Sequence, residues 1–274
     1  MKLERLFFAY FSPTGGTRRV MRRMLAAARG TGLFLEELDL TLPESHARAH
    51  AFGEGDAVFF ASPCYYGRVP TLVAEDFGRH FLSSRPESRA VGIPVTVFGN
   101  RAYEDALREA GDLMRAAGFA VAAGAAFVAR HSVYPKLAAG RPSDQDELVM
   151  KRFVNAVIEK ILSAETTEAL TSLQKPFPGE GPYRPGGSVP AVPMPDPQEC
   201  CRCGSCAEKC PAGIIDPQTF IVTSPEECLA CRACITACPD QARDFPEPVR
   251  SRLEAMLEKI AAANAAPKAP ELFL

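Results

Sequence analysis

Apolar and polar positions switch between two periods along the first 165 residues. Residues 3–11 are a nearly continuous apolar run with Phe7, Phe8, Tyr10 and Phe11, and read as a strand buried on both faces. Residues 17–29 change to a helical period. Val20, Met21, Met24 and Leu25 share one stripe, and Arg18, Arg19, Arg22 and Arg23 fall mostly off it, as on a solvated helix face. Further strands are predicted at 33–40, 56–61, 90–98 and 119–128, and helices at 72–82, 102–117 and 143–162, with a weaker helical segment at 43–50. Ser143 followed by Asp146 gives the last long helix an N-cap. Five strands alternating with helices predict an α/β fold, a doubly wound parallel sheet covered on both faces.

The pattern breaks at residues 174–197, which hold 8 Pro and 4 Gly in 24 positions. Proline fixes φ and removes a donor, so neither helix nor central strand survives there. The stretch reads as a semi-extended linker, or alternatively as a long ordered loop packed on the first domain. Residues 249–260 return to a helical period, with Leu253, Met256, Leu257 and Ile260 on one stripe that suits docking onto the same chain. The resulting domains are 1–165, a linker at 166–197, a second small domain at 198–246, and a helix and tail at 247–274.

Composition adds little: 47% apolar and 23% charged residues are ordinary for a globular protein, and a net charge of -2 does not suggest binding to nucleic acid or anionic lipid. The longest apolar stretch, 116–129, contains Gly118 and Gly124 and falls short of the ~20 residues of a membrane span. The N-terminus lacks the long apolar core of a secretory leader. Charge is divided, with 21 basic and 19 acidic residues in 1–165 but 4 basic and 8 acidic in 196–246.

Cysteine changes the picture most. Nine of the 10 Cys lie between Cys200 and Cys238, and the tenth is Cys64. A secreted disulfide scaffold spreads its cysteines through a short chain; this distribution favours metal ligation in a reducing cytoplasm. Cys200, Cys203, Cys206 and Cys210-Pro211 form a run that recurs 28 residues later as Cys228, Cys231, Cys234 and Cys238-Pro239. Three thiolates at this spacing wrap one iron–sulfur cluster, and the fourth is expected to ligate the other cluster. Cys200, Cys203, Cys206 and Cys238 then hold one [4Fe–4S] cluster, and Cys228, Cys231, Cys234 and Cys210 the second. Cys201 is off register and reads as a free thiol. The segment resembles the bacterial two-cluster ferredoxins over residues 199–244.

Three loops carry the remaining chemistry. Ser12-Pro13-Thr14-Gly15-Gly16-Thr17 follows the first strand and opens the first helix, so hydroxyls, tight backbone and free N–H groups form an anion cradle. It matches neither the P-loop nor G-x-G-x-x-G. Pro63, Cys64, Tyr65, Tyr66 and Gly67 follow the third strand; Gly99, Asn100, Arg101 and Tyr103 follow the fourth. With strand order 2-1-3-4-5, all three loops meet at one end of the sheet, which suits a flavin mononucleotide. Tyr66 and Tyr103, with Tyr65 as alternate, are the candidate ring contacts; Asn100 is a candidate for the pyrimidine edge and Arg101 for a charge near the reduced ring. Cys64 reads as a small buried residue, and His131 as a loop cap.

The first ~165 residues resemble the flavodoxin family, whose phosphate loop has the form [TS]-x-T-G-x-T, matched by Ser12, Thr14, Gly15 and Thr17. The whole chain is similar to the fused flavodoxin-like and two-cluster ferredoxin proteins of anaerobes. The resemblance implies FMN, two [4Fe–4S] clusters and electron transfer with redox-protein partners. The alternatives are a carrier whose flavodoxin-like domain has lost FMN, and a flavin reductase of a small substrate.

Overall fold

The computed structural model describes residues 1–75, 77–172, 174–187 and 189–274. In chain order, β1 (Arg5–Tyr10) leads into α1 (Gly16–Ala28), followed by β2 (Phe34–Asp39), β3 (Asp56–Pro63), β4 (Val91–Phe98), α2 (Ala106–Ala116), β5 (Gly124–Val128) and α3 (Asp144–Ser163). The five strands are parallel and lie in the order β2-β1-β3-β4-β5, the flavodoxin-like arrangement. Alternation within the buried strands feeds two cores. Phe8, Tyr10 and Phe59 face a cluster with Met21, Met24 and Phe153 from α1 and α3. Phe7, Phe11, Val58 and Phe60 face the opposite cluster, with Leu107 and Met114 from α2.

Two expected elements are divided. The helix at 72–82 is two single turns, Thr71–Ala74 and Phe77–His80, before a short strand, Leu82–Ser84, paired with His50–Phe52. The backbone turns extended at Glu75, and Phe77 then packs on Phe60 with ring centroids 5.0 Å apart. The strand at 119–128 is also interrupted: Ala120–Val121 pairs with the start of β4, and β5 begins at Gly124. Lys160 Nζ of α3 donates to the carbonyl of Ala122 at the break, at 2.8 Å. The weak helix at 43–50 is a 3-10 turn, Pro43–His46.

The proline-rich segment is a packed loop, the second of the two arrangements its composition allows, and not a free tether. Phe177 is buried in the α2-side core. Tyr183 lies beneath the guanidinium groups of Arg68 and Arg108, and its hydroxyl donates to Asp112 at 2.5 Å.

In the cysteine-rich segment, Met194–Pro195 pairs antiparallel with Arg243–Asp244 around two short helices, Ser205–Glu208 and Ala233–Thr236. The 28-residue repeat recurs in the backbone. Left-handed residues come in matching pairs: Arg202 with Ala230, Gly204 with Arg232, and Gly213 with Gln241. The chain then forms α4 (Val249–Ala263) and β6 (Glu271–Phe273), and β6 adds antiparallel to the free edge of β5. Among the described residues, no helix is long and apolar enough to cross a membrane.

Candidate functional site

At the carboxyl ends of β1, β3, β4 and β5 lies a cleft of about 690 Å³, within the usual ~300–1,000 Å³ of small-molecule sites. Its floor is the loop from β1 into α1. Gly15 takes φ +79, a conformation that suits glycine, and this turns the chain into the helix. Ser12 Oγ accepts the N–H of Arg18 at 2.9 Å, while the Ser12 N–H donates to Thr41 Oγ1 at 2.9 Å. Ser12, Thr14, Gly16 and Thr17 line the cleft; Gly15 forms the turn behind them. The first N–H groups of a helix lack intrahelical partners and favour an anion. Arg18 and Arg19 fold back over this loop, their guanidinium nitrogens 3.6 Å from where a Cβ on Gly15 would stand. The Arg19 pKa is lowered by burial and by the neighbouring charges of Arg130, Arg18 and Arg23. Arg18, Arg19 and Arg22 are exposed, as the helical spacing predicts, and none of them lines the cleft.

Pro63, Tyr65, Tyr66 and Gly67 form the second wall. Tyr66 (φ 54) and Gly67 (φ 83) make a tight left-handed turn, closed by paired backbone bonds of 3.0 Å between Tyr65 and Arg68. Arg68 anchors the loop by forking onto Glu109 of α2, with Nη2 at 2.5 Å and Nε at 2.8 Å from its oxygens. Tyr66 is 40% exposed and lies against Gly187, where a Cβ would come within 2.3 Å of its ring. Burial pushes the Tyr65 hydroxyl up, and the nearby Cys231 adds to the shift. Cys64 is half-buried, not fully buried as expected, and also lines the cleft; burial pushes its thiol up to about 12, and Sγ lies 3.7 Å from the carbonyls of Ala102 and Tyr103.

The third loop departs from expectation. Gly99 and Arg101 line the cleft, but Asn100 and Tyr103 do not. Asn100 is 2% exposed, and its amide holds the C-terminal tail. Nδ2 donates to the carbonyls of Asn264 and Ala266 at 2.7 and 3.0 Å, and Oδ1 accepts from Lys268 N at 2.8 Å. Tyr103 packs at a tilt against Phe98, and its hydroxyl donates to Glu271 of β6 at 2.8 Å. Both expected flavin contacts are taken by a segment some 165 residues away, which spacing within the loop does not reveal. Arg101 faces the cleft with its charge shared, since Nη2 donates to Glu104 at 2.7 Å.

The remaining walls come from residues that the loop motifs did not identify. His131 sits over Gly99, where a Cβ would come within 2.4 Å of its ring. Its Nδ1 accepts the N–H groups of Val133 and Tyr134 at 3.2 and 3.0 Å, which leaves the proton on Nε2. Burial and then the Arg101 charge lower its pKa, so the ring is a neutral N–H donor. The proline-rich segment contributes Arg184 to Gly187, and α4 contributes Leu253, Met256, Leu257 and Ile260, the stripe visible in the sequence. Arg101, Arg130, Arg184 and Arg252 line the cleft, with no carboxylate among the described lining residues.

The eight repeated cysteines divide into two sets in space. Cys210, Cys228, Cys231 and Cys234 line a small void of about 20 Å³. Cys200, Cys203, Cys206 and Cys238 line another of about 20 Å³, with the exposed Cys201 at its rim. Burial pushes the Cys231 thiol up to about 12; metal coordination would remove that proton outright. Among the described residues, no three His, Cys, Asp or Glu side chains converge on one point as a single metal ion requires. A [4Fe–4S] cluster instead binds each thiolate at a different iron, so its ligands stand around a volume. Two separate quartets fit that demand in number and residue type. Leu229 and Ala230 line both the void of Cys210, Cys228, Cys231 and Cys234 and the 690 Å³ cleft, so a single peptide segment is common to the two.

No known family model matches the chain, and a search of curated proteins found no match. Among solved structures the chain is similar to a flavodoxin from the domain Archaea, with a TM-score of 0.39 and 16% identity over 58% of this chain and 99% of that one. It is also similar to rubredoxin oxygen:oxidoreductase from the anaerobe Desulfovibrio gigas, with a TM-score of 0.37 and 13% identity over 60% of this chain and only 38% of that one. The fold assignment rests on the strand order.

Proposed function

We propose that this chain is an electron-transfer flavoprotein with two [4Fe–4S] clusters and one FMN, passing electrons between redox-protein partners and the flavin. When bound, the clusters supply one-electron steps and the flavin couples these to two-electron chemistry. The observation that carries the reading is the crossed sorting of eight cysteines into two quartets, one of which shares Leu229 and Ala230 with the cleft.

Each wall has a role in this reading. Ser12, Thr14, Gly16 and Thr17 offer hydroxyl and N–H groups to the phosphate. Tyr65 and Tyr66 hold the ring, and His131 Nε2–H donates into the cleft. The apolar stripe of α4 excludes water. Cysteine ligation of this kind belongs to a reducing compartment, and cytoplasmic placement follows from it. Protein purified without oxygen should contain about eight iron, eight sulfide and one FMN per chain, the stoichiometry of two [4Fe–4S] clusters and one flavin. Iron and sulfide without flavin would leave a ferredoxin-type carrier instead.

One observation favours a second reading, reduction of a small anionic substrate. The cleft has four arginines and no carboxylate among its described lining residues, and α4 covers it. Substrate-dependent oxidation of the chemically reduced protein, screened over small organic anions, tests this role; no acceleration by any of them would reject it.

A further inference from the structure

A buried cation lies beside the cysteine quartets. Arg243 is 2% exposed, and no carboxylate pairs with it among the described residues. Its Nη1 donates to the Phe220 carbonyl at 2.7 Å and lies 3.8 Å from Cys206 Sγ; its Nη2 donates to the Pro193 carbonyl at 2.8 Å. Nε is buried without a partner. Arg243 lines the void of Cys200, Cys203, Cys206 and Cys238. The strand that carries it, Arg243–Asp244, also packs against the Ala233–Thr236 helix, which holds Cys234 of the second quartet. Leaving a guanidinium out of water with only carbonyl and sulfur partners is expensive. The internal repeat shows that packing does not require it, because the residue 28 positions earlier is Ile215, also buried. One half of the duplicated segment fills this position with a methyl-ended side chain, and the other fills it with a charge.

We propose that Arg243 is a shared counter-cation for the two clusters, raising the reduction potential of both. The inference rests on the two-cluster reading above. Each cluster gains one electron on reduction, and so one unit of negative charge. A positive charge held beside them, away from solvent and salt, favours that state for both. No surface ion pair would act on the two sites together.

The test compares the wild type with Arg243→Met and Arg243→Lys, all purified without oxygen. Iron and sulfide are counted first, and both clusters are then titrated with dithionite and followed by electron paramagnetic resonance. In Arg243→Met both midpoints should fall, by at least a tenfold shift in each reduction equilibrium, which is 59 mV for one electron. Arg243→Lys should stay nearer to the wild type than to Arg243→Met. Should Arg243→Met fail to take up iron while Arg243→Lys loads fully, the requirement for charge is supported by assembly itself. The proposal is overturned if fully loaded Arg243→Met keeps both wild-type midpoints, if only one midpoint moves, if the lysine variant shows the midpoints of the methionine variant, or if both variants fail to take up iron. A wild type without iron would instead overturn the two-cluster reading, and the inference with it.

Discussion

Tyr66 lies against bare backbone at Gly187, and this contact fixes where its ring stands. A methyl group there would come within 2.3 Å of the ring. Gly187→Ala should displace either the tyrosine or the loop, at a cost of about 1–3 kcal/mol for overpacking. In the present account that appears as roughly tenfold weaker FMN binding in a fluorescence titration, with cluster content unchanged; unaltered affinity would mean Tyr66 does not hold the ring. Arg101→Ala should lower the flavin potential, but only modestly, because Glu104 already shares its charge at 2.7 Å. Spectroelectrochemistry of the bound flavin checks both the sign and the size. At this scale the repeated cysteines and the phosphate loop stood out in the sequence because their pattern lies in spacing along the chain, and the cofactors read from them belong to the proposal. Asn100 and Tyr103 were misjudged, since their partners at Asn264–Lys268 and Glu271 are remote in sequence.

Among the elements, the C-terminal segment does more than its amphipathic stripe announced. α4 closes the cleft, and β6 pairs with β5 in the register Glu271 with Ala126 and Phe273 with Gly124. Three hydrogen bonds from Asn100 tie the two parts down. Asn100→Ala should leave buried backbone groups unpaired, costing roughly 2–4 kcal/mol locally. Residues 264–274 should then exchange amide protons much faster, as mass spectrometry would detect; unchanged protection would place the anchor elsewhere. The start of α3 carries a separate, pH-dependent contribution. Asp146 is 3% exposed and completes a capping box with Ser143. Burial alone would raise its pKa, but the hydrogen bonds and charge of Arg141 and Ser143 outweigh this and lower it. A carboxyl with a depressed folded-state pKa adds stability in full above its unfolded value near 4, and loses it as pH falls through the folded value. Asp146→Asn should therefore be less stable to urea than the wild type by roughly 2–4 kcal/mol at pH 7, with the gap narrowing only below about pH 4. A gap that did not change with acid would contradict the assignment. Ser143 and Asp146 made this helix start legible in advance. β6 was not legible, because a three-residue strand has too little periodicity to stand out from a tail.

Across the whole molecule, the buried strands of the first domain made the parallel sheet readable, since runs apolar on both faces leave few alternatives. The proline-rich segment was ambiguous for a physical reason: proline excludes helix and sheet but does not decide between a tether and a packed loop. Phe177 in the core and Tyr183 beneath two guanidinium groups decide it. That packing seats the cysteine-rich segment against the cleft, where Leu229 and Ala230 form a common wall. The central claim is that electrons cross this wall within one chain. Flash reduction of the oxygen-free protein, followed at cluster and flavin wavelengths over a range of protein concentrations, tests it most directly. First-order exchange between clusters and flavin, at a rate independent of concentration, is the expected result; a rate that rises in proportion to protein concentration, or no exchange at all, would rule out transfer within one chain.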